Sequence, residues 1–243
     1  MEFLEFKQRF IEALNNNTVS VDVTDEKVEK LFKLTEIMLE VNKSMNLTAI
    51  TDVDAVIVKH YVDSLTVSSY IPQNSAVIDV GCGAGFPCLP LAVFREDLKI
   101  TALDSTAKRI RYIEDTAQRL NLTNITPVAA RAEELAKNNS HRESYDVATA
   151  RAVAVLPILT ELCLPFVKKG GLFVSMKASQ GEQELELSKN AITICGGSLK
   201  SLDKFPLNYN GNSELRTIIS VSKMTSTPSK YPRHYSQIAK KPL

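Results

Sequence analysis

The sequence predicts an α/β fold: a doubly wound, mostly parallel sheet of seven strands that follows an N-terminal helical extension. Three observations predict it. The apolar run at 76–80 stops in a glycine-rich turn, as a buried parallel strand does before a helix. Strand-like and helical runs then alternate along residues 71–223. Residues 1–70 instead show only the apolar spacing of helices.

The N-terminal region is predicted to contain three helices. Apolar residues at 3–14 have roughly helical spacing, and the three asparagines that follow end this helix. Thr24 suits the N-cap of a second helix, because acidic residues follow it in the first turn. A third helix is predicted over 54–70, and Pro72 breaks it before the sheet.

The alternating region supplies the strands and helices of the sheet domain. The predicted strands are 76–80, 99–103, 125–128, 145–150, 172–176, 198–205 and 215–223. The predicted helices are 87–95, 107–120, 132–137, 155–167 and 181–195. No helix separates the last two strands, so we expect a hairpin there and one reversed strand. We therefore divide the chain into a helical extension (1–70), a sheet domain (71–223) and a basic tail (224–243).

The glycine turn after the first strand is the most specific motif. Asp79 precedes glycines at 81, 83 and 85, and Phe86 fills the position where a dinucleotide fingerprint has its last glycine. The Phe86 ring at this position argues against a bound pyrophosphate, and therefore against a nucleotide-dependent oxidoreductase. The pattern resembles the first motif of S-adenosylmethionine-dependent methyltransferases, in which the turn, here Gly81 and Gly83, holds the methionine part of the cofactor. The competing interpretation is a glycine-rich turn without a ligand.

The residues after the next strands are further candidates, because ligands bind at the carboxyl ends of parallel strands. Asp104, followed by Ser105 and Thr106, stands about twenty residues past the glycine turn and suits the two ribose hydroxyls. Its alternative role is a cap for the helix that starts near residue 107. Ala132 and Glu133 follow the third strand, where the adenine edge lies in such folds; Glu133 alternatively serves as a first-turn helix acid.

Arg151 follows the fourth strand, where the substrate meets the methyl group in this fold. We place it near the cofactor, and its alternative is a surface cation. The turn lacks the D/N/S-P-P-Y/F sequence of exocyclic-amine methyltransferases. Cys163 lies in a predicted helix and is expected in the core, so a nucleophilic cysteine is not indicated either. A nucleophile that needs no deprotonation fits these absences.

Composition excludes other classes of protein. A hydrophobic content of 44% with 23% charged residues is typical of a globular domain, and no run approaches a membrane span. The four cysteines and three histidines are scattered, so we expect no metal and a reduced, cytoplasmic setting. We also expect no membrane partner and a monomer.

The C-terminal segment has an uneven charge. Five basic residues and no acidic one lie in 223–243, which suits an anionic partner such as nucleic acid. Lys230 and Arg233 are candidate RNA contacts there, beside tyrosines that can stack bases. The alternative is a solvated, disordered end. His60 has two interpretations, a helix-packing histidine and an RNA contact near the mouth of the site.

Together these segments resemble the glucose-inhibited division protein B (RsmG) family, the guanine-N7 methyltransferases of small-subunit (16S) ribosomal RNA. Asn-Leu-Thr at 46–48, Thr-Ala-Arg-Ala at 149–152 and Tyr-Pro-Arg at 231–233 are particular to that family. The resemblance covers nearly the whole chain. Its segments are 42–51, 59–65, 80–87, 103–109, 131–133, 149–152, 165–171 and 227–233.

The resemblance implies a class I, Rossmann-like methyltransferase fold, S-adenosyl-L-methionine as cofactor, and small-subunit RNA or the small subunit as partner. It implies cofactor contacts at Gly81, Phe86, the 104–106 turn, Ala132, Glu133 and Arg151. Phe86 has the alternative of a core ring under the loop. Guanine N7 has a free lone pair, so no catalytic base is expected. The rival functions are methylation of a small molecule or protein, and RNA binding without catalysis.

Overall fold

A computed structural model describes all 243 residues, and its centre is one seven-stranded sheet. The strand order is β3-β2-β1-β4-β5-β7-β6, and only β7 runs against its neighbours. The predicted mostly parallel sheet with one reversed strand and a C-terminal hairpin is confirmed. The strands are β1 (Ala76–Val80), β2 (Lys99–Asp104), β3 (Ile125–Ala129), β4 (Tyr145–Arg151), β5 (Val167–Lys177), β6 (Gly197–Tyr209) and β7 (Asn212–Lys223).

Ten α-helical segments surround the sheet. Thr24 caps the second helix as predicted, since its hydroxyl accepts a hydrogen bond from the Lys27 N–H. The helices are α1 (Phe3–Asn16), α2 (Asp25–Met45), α3 (Val53–Val56), α4 (Asp63–Leu65), α5 (Cys88–Phe94), α6 (Ala107–Arg119), α7 (Ala132–Leu135), α8 (Leu156–Cys163), α9 (Gly181–Ile194) and α10 (Tyr235–Lys240).

Two predicted helices differ from the structure. The helix expected over 54–70 is four short segments, because a π-helical turn (Ile57–Val62) and a 3₁₀ turn (Thr66–Tyr70) flank α4. The helix expected over 155–167 stops at Cys163. Pro165 cannot donate to a continuing helix, so a 3₁₀ turn leads directly into β5, which begins five residues before its predicted start at 172.

Two hydrophobic cores fill the two faces of the sheet. Alternate residues of β1 point to opposite faces, so Val77 joins the first core and Ile78 joins the second. The first core also takes the N-terminal helices, with Phe6 and Phe10 fully buried. The second core is formed with α8 and α9 and includes Cys163, which confirms its predicted place in the core. The helical extension is thus part of the packing that supports the sheet.

The C-terminal segment is folded against the domain and is not a solvated end. Ile238 of α10 is fully buried in the second core. Lys223, one of the five basic residues counted over 223–243, is also buried: its ammonium donates to the Leu164 carbonyl at 2.6 Å and lies 3.3 Å from the Glu143 carboxylate. This lysine is therefore a structural residue. The segment carries fewer available positive charges than its sequence indicates.

No helix of the protein combines the length and the apolar character that a membrane crossing requires. No group of three or more histidine, cysteine, aspartate or glutamate side chains is arranged to hold a metal ion. All four cysteines are buried free thiols.

Candidate functional site

A cleft lies at the carboxyl ends of β1 to β4, the edge where open parallel sheets bind ligands. It encloses about 450 Å³. All nine side chains or backbone positions predicted to contact a cofactor lie along its walls. They are Gly81, Gly83, Phe86, Asp104, Ser105, Thr106, Ala132, Glu133 and Arg151. The topology therefore brings together four separate stretches of chain, and their individual contacts with a ligand stay predictions.

The glycine loop between β1 and α5 forms one wall. Gly81 has φ +74°, and a Cβ there would lie 2.5 Å from a Val153 methyl group, so only glycine fits. Gly83 has φ +57°, and no side chain lies within 4 Å of where its Cβ would be. The backbone at Gly83 therefore faces open space. The Gly81 and Cys82 N–H groups both donate to the Leu103 carbonyl, which ties the loop to β2.

Asp79, the acid of the glycine motif, lies beneath the loop and does not line the cleft. Its carboxylate accepts hydrogen bonds from the Cys88 N–H at 3.2 Å and the Thr149 hydroxyl at 3.1 Å. Burial raises the pKa of this carboxyl to about 6. Asp79 thus joins β1, β4 and the start of α5, and holds the turn in shape.

Asp104 stands at the end of β2 and reaches across to the glycine loop. One carboxylate oxygen accepts the Thr106 N–H at 2.7 Å, and the other accepts the Gly83 N–H at 3.1 Å. The side chain is 6% exposed. Each oxygen keeps a lone pair beyond its backbone partner. Asp104 therefore orders the turn before α6 and lines the cleft, and its contact with the ribose hydroxyls stays a prediction.

The third-strand turn is closed by a residue from the C-terminal segment. Glu133 is almost fully buried and accepts a hydrogen bond from Arg131 at 3.3 Å. The Arg131 guanidinium lies over the Tyr235 ring, 4.8 Å from its centroid. Tyr235 lines the cleft beside Ala132. Sequence reasoning treated Tyr235 only as a ring for stacking bases and missed its place in this wall.

His60 is a packed, neutral histidine. Its ring stacks on Phe86 with centroids 4.3 Å apart and an interplanar angle of 10°. Its Nε2 hydrogen-bonds the Thr48 hydroxyl at 2.9 Å. Burial, with the nearby Arg151 charge, lowers the pKa of His60 to about 3. The geometry favours the packing interpretation, and an RNA contact by His60 stays a prediction.

Arg151 is a half-buried cation held by several partners, which disfavours its alternative interpretation as a surface cation. Its guanidinium donates to the Asp63 carboxylate and to the Lys59 carbonyl, each at 3.0 Å. It also lies over the Phe86 ring at 5.5 Å. The second oxygen of Asp63 accepts from Arg216 at 3.1 Å. Sequence reasoning missed Asp63 as the residue that fixes Arg151, although Asp63 lies in the 59–65 segment that carries the family resemblance.

A second cavity adjoins the cleft and encloses about 780 Å³. The two share four lining residues, which are His60, Arg151, Ala152 and Val153. The end of β5, the first turn of α9 and the start of β7 form its other walls. Nothing in the sequence predicted this cavity, because its walls come from five distant stretches of chain. The site is therefore bipartite, with Arg151 at the junction.

The two residues of the C-terminal segment predicted to contact RNA lie outside both cavities and differ from each other. Arg233 turns inward, and its guanidinium binds the fully buried Glu161 carboxylate at 2.6 and 2.9 Å. Its charge is therefore compensated within the protein. Lys230 is exposed, with its ammonium 5.2 Å from the Tyr231 ring centroid. The contact of either residue with RNA stays a prediction, and the geometry favours Lys230.

Solved structures similar to this chain share its fold. One is TYW2 of M. jannaschii in complex with AdoMet, with a TM-score of 0.54, 15% identity, and coverage of 67% of this chain and 75% of that one. Another is a SAM-dependent methyltransferase from Methanosarcina mazei, with a TM-score of 0.52, 17% identity, and coverage of 66% and 98%. The predicted class I methyltransferase fold is thereby confirmed.

Sequence comparison is more specific. The model of the GidB family, described as rRNA small subunit methyltransferase G, matches residues 27–210. A ribosomal RNA small subunit methyltransferase G from Acetivibrio thermocellus is 42% identical over 241 residues, covering 99% of this chain and 98% of the relative. A protein of the same name from Leuconostoc citreum is 43% identical over 240 residues, covering 97% and 98%.

Proposed function

The chain belongs to the rRNA small subunit methyltransferase G family, and from this membership we propose that it methylates N7 of one guanine in 16S ribosomal RNA. It is an S-adenosylmethionine-dependent methyltransferase of small-subunit RNA. The observation that supports the finer proposal is the bipartite site, in whose cleft the Asp104 and Glu133 carboxylates and the His60 ring are each held by partners within the protein. Since its substrate is ribosomal, we further propose that it acts in the cytoplasm. The monomeric state stays a prediction.

The residues of the cleft fit S-adenosylmethionine. The open backbone at Gly83 suits the methionine part, the Asp104 lone pairs suit the ribose hydroxyls, and the turn at Ala132 and Glu133 suits the adenine. Bound there, the cofactor supplies an electrophilic methyl group. Hydrogen bonds from the glycine loop to the Leu103 carbonyl of β2 fix the conformation of this wall.

The chemistry of guanine N7 matches the absence of a base. N7 has an in-plane lone pair and no proton near neutrality, so attack on a methyl group requires no proton removal. His60 is neutral and already bonded to Thr48, while Asp79 is covered by the glycine loop. The protein then accelerates the reaction by placing the base in line and by excluding water. The target base must be unstacked to reach the site.

The direct test is methyl transfer from labelled S-adenosylmethionine to small ribosomal subunits and to stripped RNA. We expect label in a single guanine, recovered as the 7-methylguanosine nucleotide after nuclease digestion and mapping. Label on another base, or on another guanine atom, would contradict the N7 proposal while leaving the family membership intact. Comparison of the two acceptors, subunits and stripped RNA, shows whether ribosomal proteins are needed for methylation.

The rate of a single turnover is expected to be independent of pH from about 7 to about 8.5. His60, with a pKa of about 3, is neutral over this range, and Asp79, with a pKa of about 6, is ionised. Neither group changes its charge. Rapid-quench measurement with excess enzyme separates this step from product release. A rise of about tenfold per pH unit over the range would identify a required base and contradict the mechanism.

A further inference from the structure

The second cavity contains one carboxylate oxygen that no protein group binds. Glu184, in the first turn of α9, lines this cavity and does not line the cleft. Its Oε2 accepts the Leu156 N–H at 2.6 Å and lies 2.8 Å from the Lys177 ammonium. Its Oε1 has no hydrogen-bond partner within the protein. The side chain is thus fixed through one oxygen and presents the other.

The other two carboxylates of the cavity bind a cation with both oxygens. Asp63 binds Arg151 with one oxygen and Arg216 with the other. Glu214 binds Lys59 with one oxygen and Arg216 with the other. Glu184 differs from both, because one of its oxygens has no partner within the protein. Of the three carboxylates, Glu184 therefore has the oxygen most available for a ligand.

The cations of the cavity are equally engaged, which matters for a base that must react at N7. A free arginine or lysine binds guanine at O6 and N7 and would occupy the reacting lone pair. Arg151, Arg216, Lys59 and Lys177 each lie in an ion pair with one of the cavity's three carboxylates. We expect cations held in these pairs to compete less for N7 than free ones. The opposite edge of the base is then the one that an acceptor can recognise.

We propose that Glu184 determines guanine specificity, with its free Oε1 accepting hydrogen bonds from N1–H and the 2-amino group of the target base in the second cavity. The inference rests on the proposed guanine-N7 function. Only guanine presents two adjacent donors on its Watson–Crick edge, and a carboxylate is an acceptor without donors. N7 lies on the opposite side of the purine, so a base held by Glu184 directs N7 toward the wall shared with the cofactor cleft.

The contact also assists the reaction. Methylation places positive charge on the purine ring, which makes N1–H a stronger donor as the methyl group is transferred. A carboxylate hydrogen bond to it is therefore stronger in the transition state than in the bound substrate, and it contributes to kcat. A residue that only supported the fold would not couple to the 2-amino group of the substrate.

The test combines a protein variant with a changed base. Glu184→Gln retains the size of the side chain and an oxygen for the Leu156 N–H, while losing the charge. Glu186→Gln is the matched control, since Glu186 lies on the same helix, 62% exposed, and pairs only with Lys189. The substrate RNA carries guanine or inosine at the mapped target. Inosine has N7 and N1–H but lacks the 2-amino group. The thermal midpoint and cofactor affinity of each variant report its folding.

For the wild-type enzyme and the Glu186→Gln control, we expect inosine to lower kcat/KM by about tenfold, the effect of one lost charge-assisted hydrogen bond. For Glu184→Gln, we expect a lower kcat with guanine and a guanine-to-inosine ratio within about threefold of one. A guanine-to-inosine ratio of kcat/KM near ten in Glu184→Gln would overturn the inference. A ratio near one in the wild-type enzyme would also overturn it. The comparison of guanine with inosine in the wild-type enzyme does not depend on the folding of any variant.

Failure of this inference is distinguishable from failure of the proposed function. Formation of 7-methylguanosine in the RNA by the wild-type enzyme tests the function on its own. If that product forms and the inosine ratio does not depend on Glu184, only the specificity role is lost.

Discussion

Arg233→Ala is expected to lower the free energy of unfolding by about 3 kcal/mol. Glu161 is fully buried in α8, and Arg233 supplies its Nε, its Nη2 and its backbone N–H to that carboxylate. Truncation leaves a buried negative charge with a single backbone donor. Because the Arg233 side chain is 24% exposed, water reaches part of the site, which places the effect at the lower end of the range for a broken buried pair. Urea unfolding at neutral pH measures the change.

Lys230→Ala is the matched control, because it removes the same charge from an exposed side chain of the same segment. We expect it to change stability by less than about 0.5 kcal/mol. The double variant Glu161→Gln/Arg233→Ala should be more stable than Arg233→Ala, since it no longer buries an unpaired charge. Equal stability of Arg233→Ala and the wild-type protein would contradict the buried pair.

The two single variants also test the predicted RNA contacts when they are compared at the same folded fraction. We expect the affinity for RNA to fall in Lys230→Ala and to stay unchanged in Arg233→Ala.

Asp104→Ala is expected to weaken S-adenosylmethionine binding by roughly 100-fold. We propose that the carboxylate accepts two ribose hydroxyls, and each hydrogen bond to a charged group contributes about 1.5–3 kcal/mol. The variant also removes the partner of the Gly83 and Thr106 N–H groups, so the loop loses its link to β2 on this side. Isothermal titration calorimetry measures the dissociation constant directly.

Asp115→Ala supplies the control for Asp104. It removes one negative charge from an exposed position on α6 that is paired only with Arg119, at 3.7 Å. Cofactor affinity should change by less than about twofold in this variant, since exposed charges are screened. An unchanged dissociation constant in Asp104→Ala would show that the ribose is held elsewhere.

The elements that sequence could predict depend on local pattern. The strand at 76–80 coincides with β1, and alternation of strands and helices predicted the sheet with its reversed strand. The cleft was predictable for a similar reason. Carboxyl ends of parallel strands meet at one edge, so Asp104, Glu133 and Arg151 could be placed together without knowledge of any contact. The division of the chain at residues 70 and 223 stays a prediction, and the first core contains residues from both sides of 70.

What sequence could not predict depends on partners that are far apart in the chain. Arg233 and Glu161 are 72 positions apart, and Arg151 and Asp63 are 88 apart. Neither pair can be recognised from the residues next to it in the sequence. A count of basic residues therefore included Arg233 among the charges available to an anionic partner. The burial of Lys223 was hidden in the same way. Local patterns identify which residues carry charge, and only the fold determines whether that charge is available.

The wall shared by the two cavities is a physical link between their contents. His60 and Arg151 line both spaces, Phe86 packs against both side chains, and Asp63 holds Arg151 from the side of the second cavity. If loading of one cavity changes the free energy of placing this group, the affinity of the other changes by the same factor in both directions. The spent cofactor lacks the sulfonium charge, and Arg151 is predicted to lie near the cofactor. If the two cavities are coupled in this way, replacement of the cofactor alters the affinity for the modified RNA, and release of the product and reloading of the enzyme are linked steps.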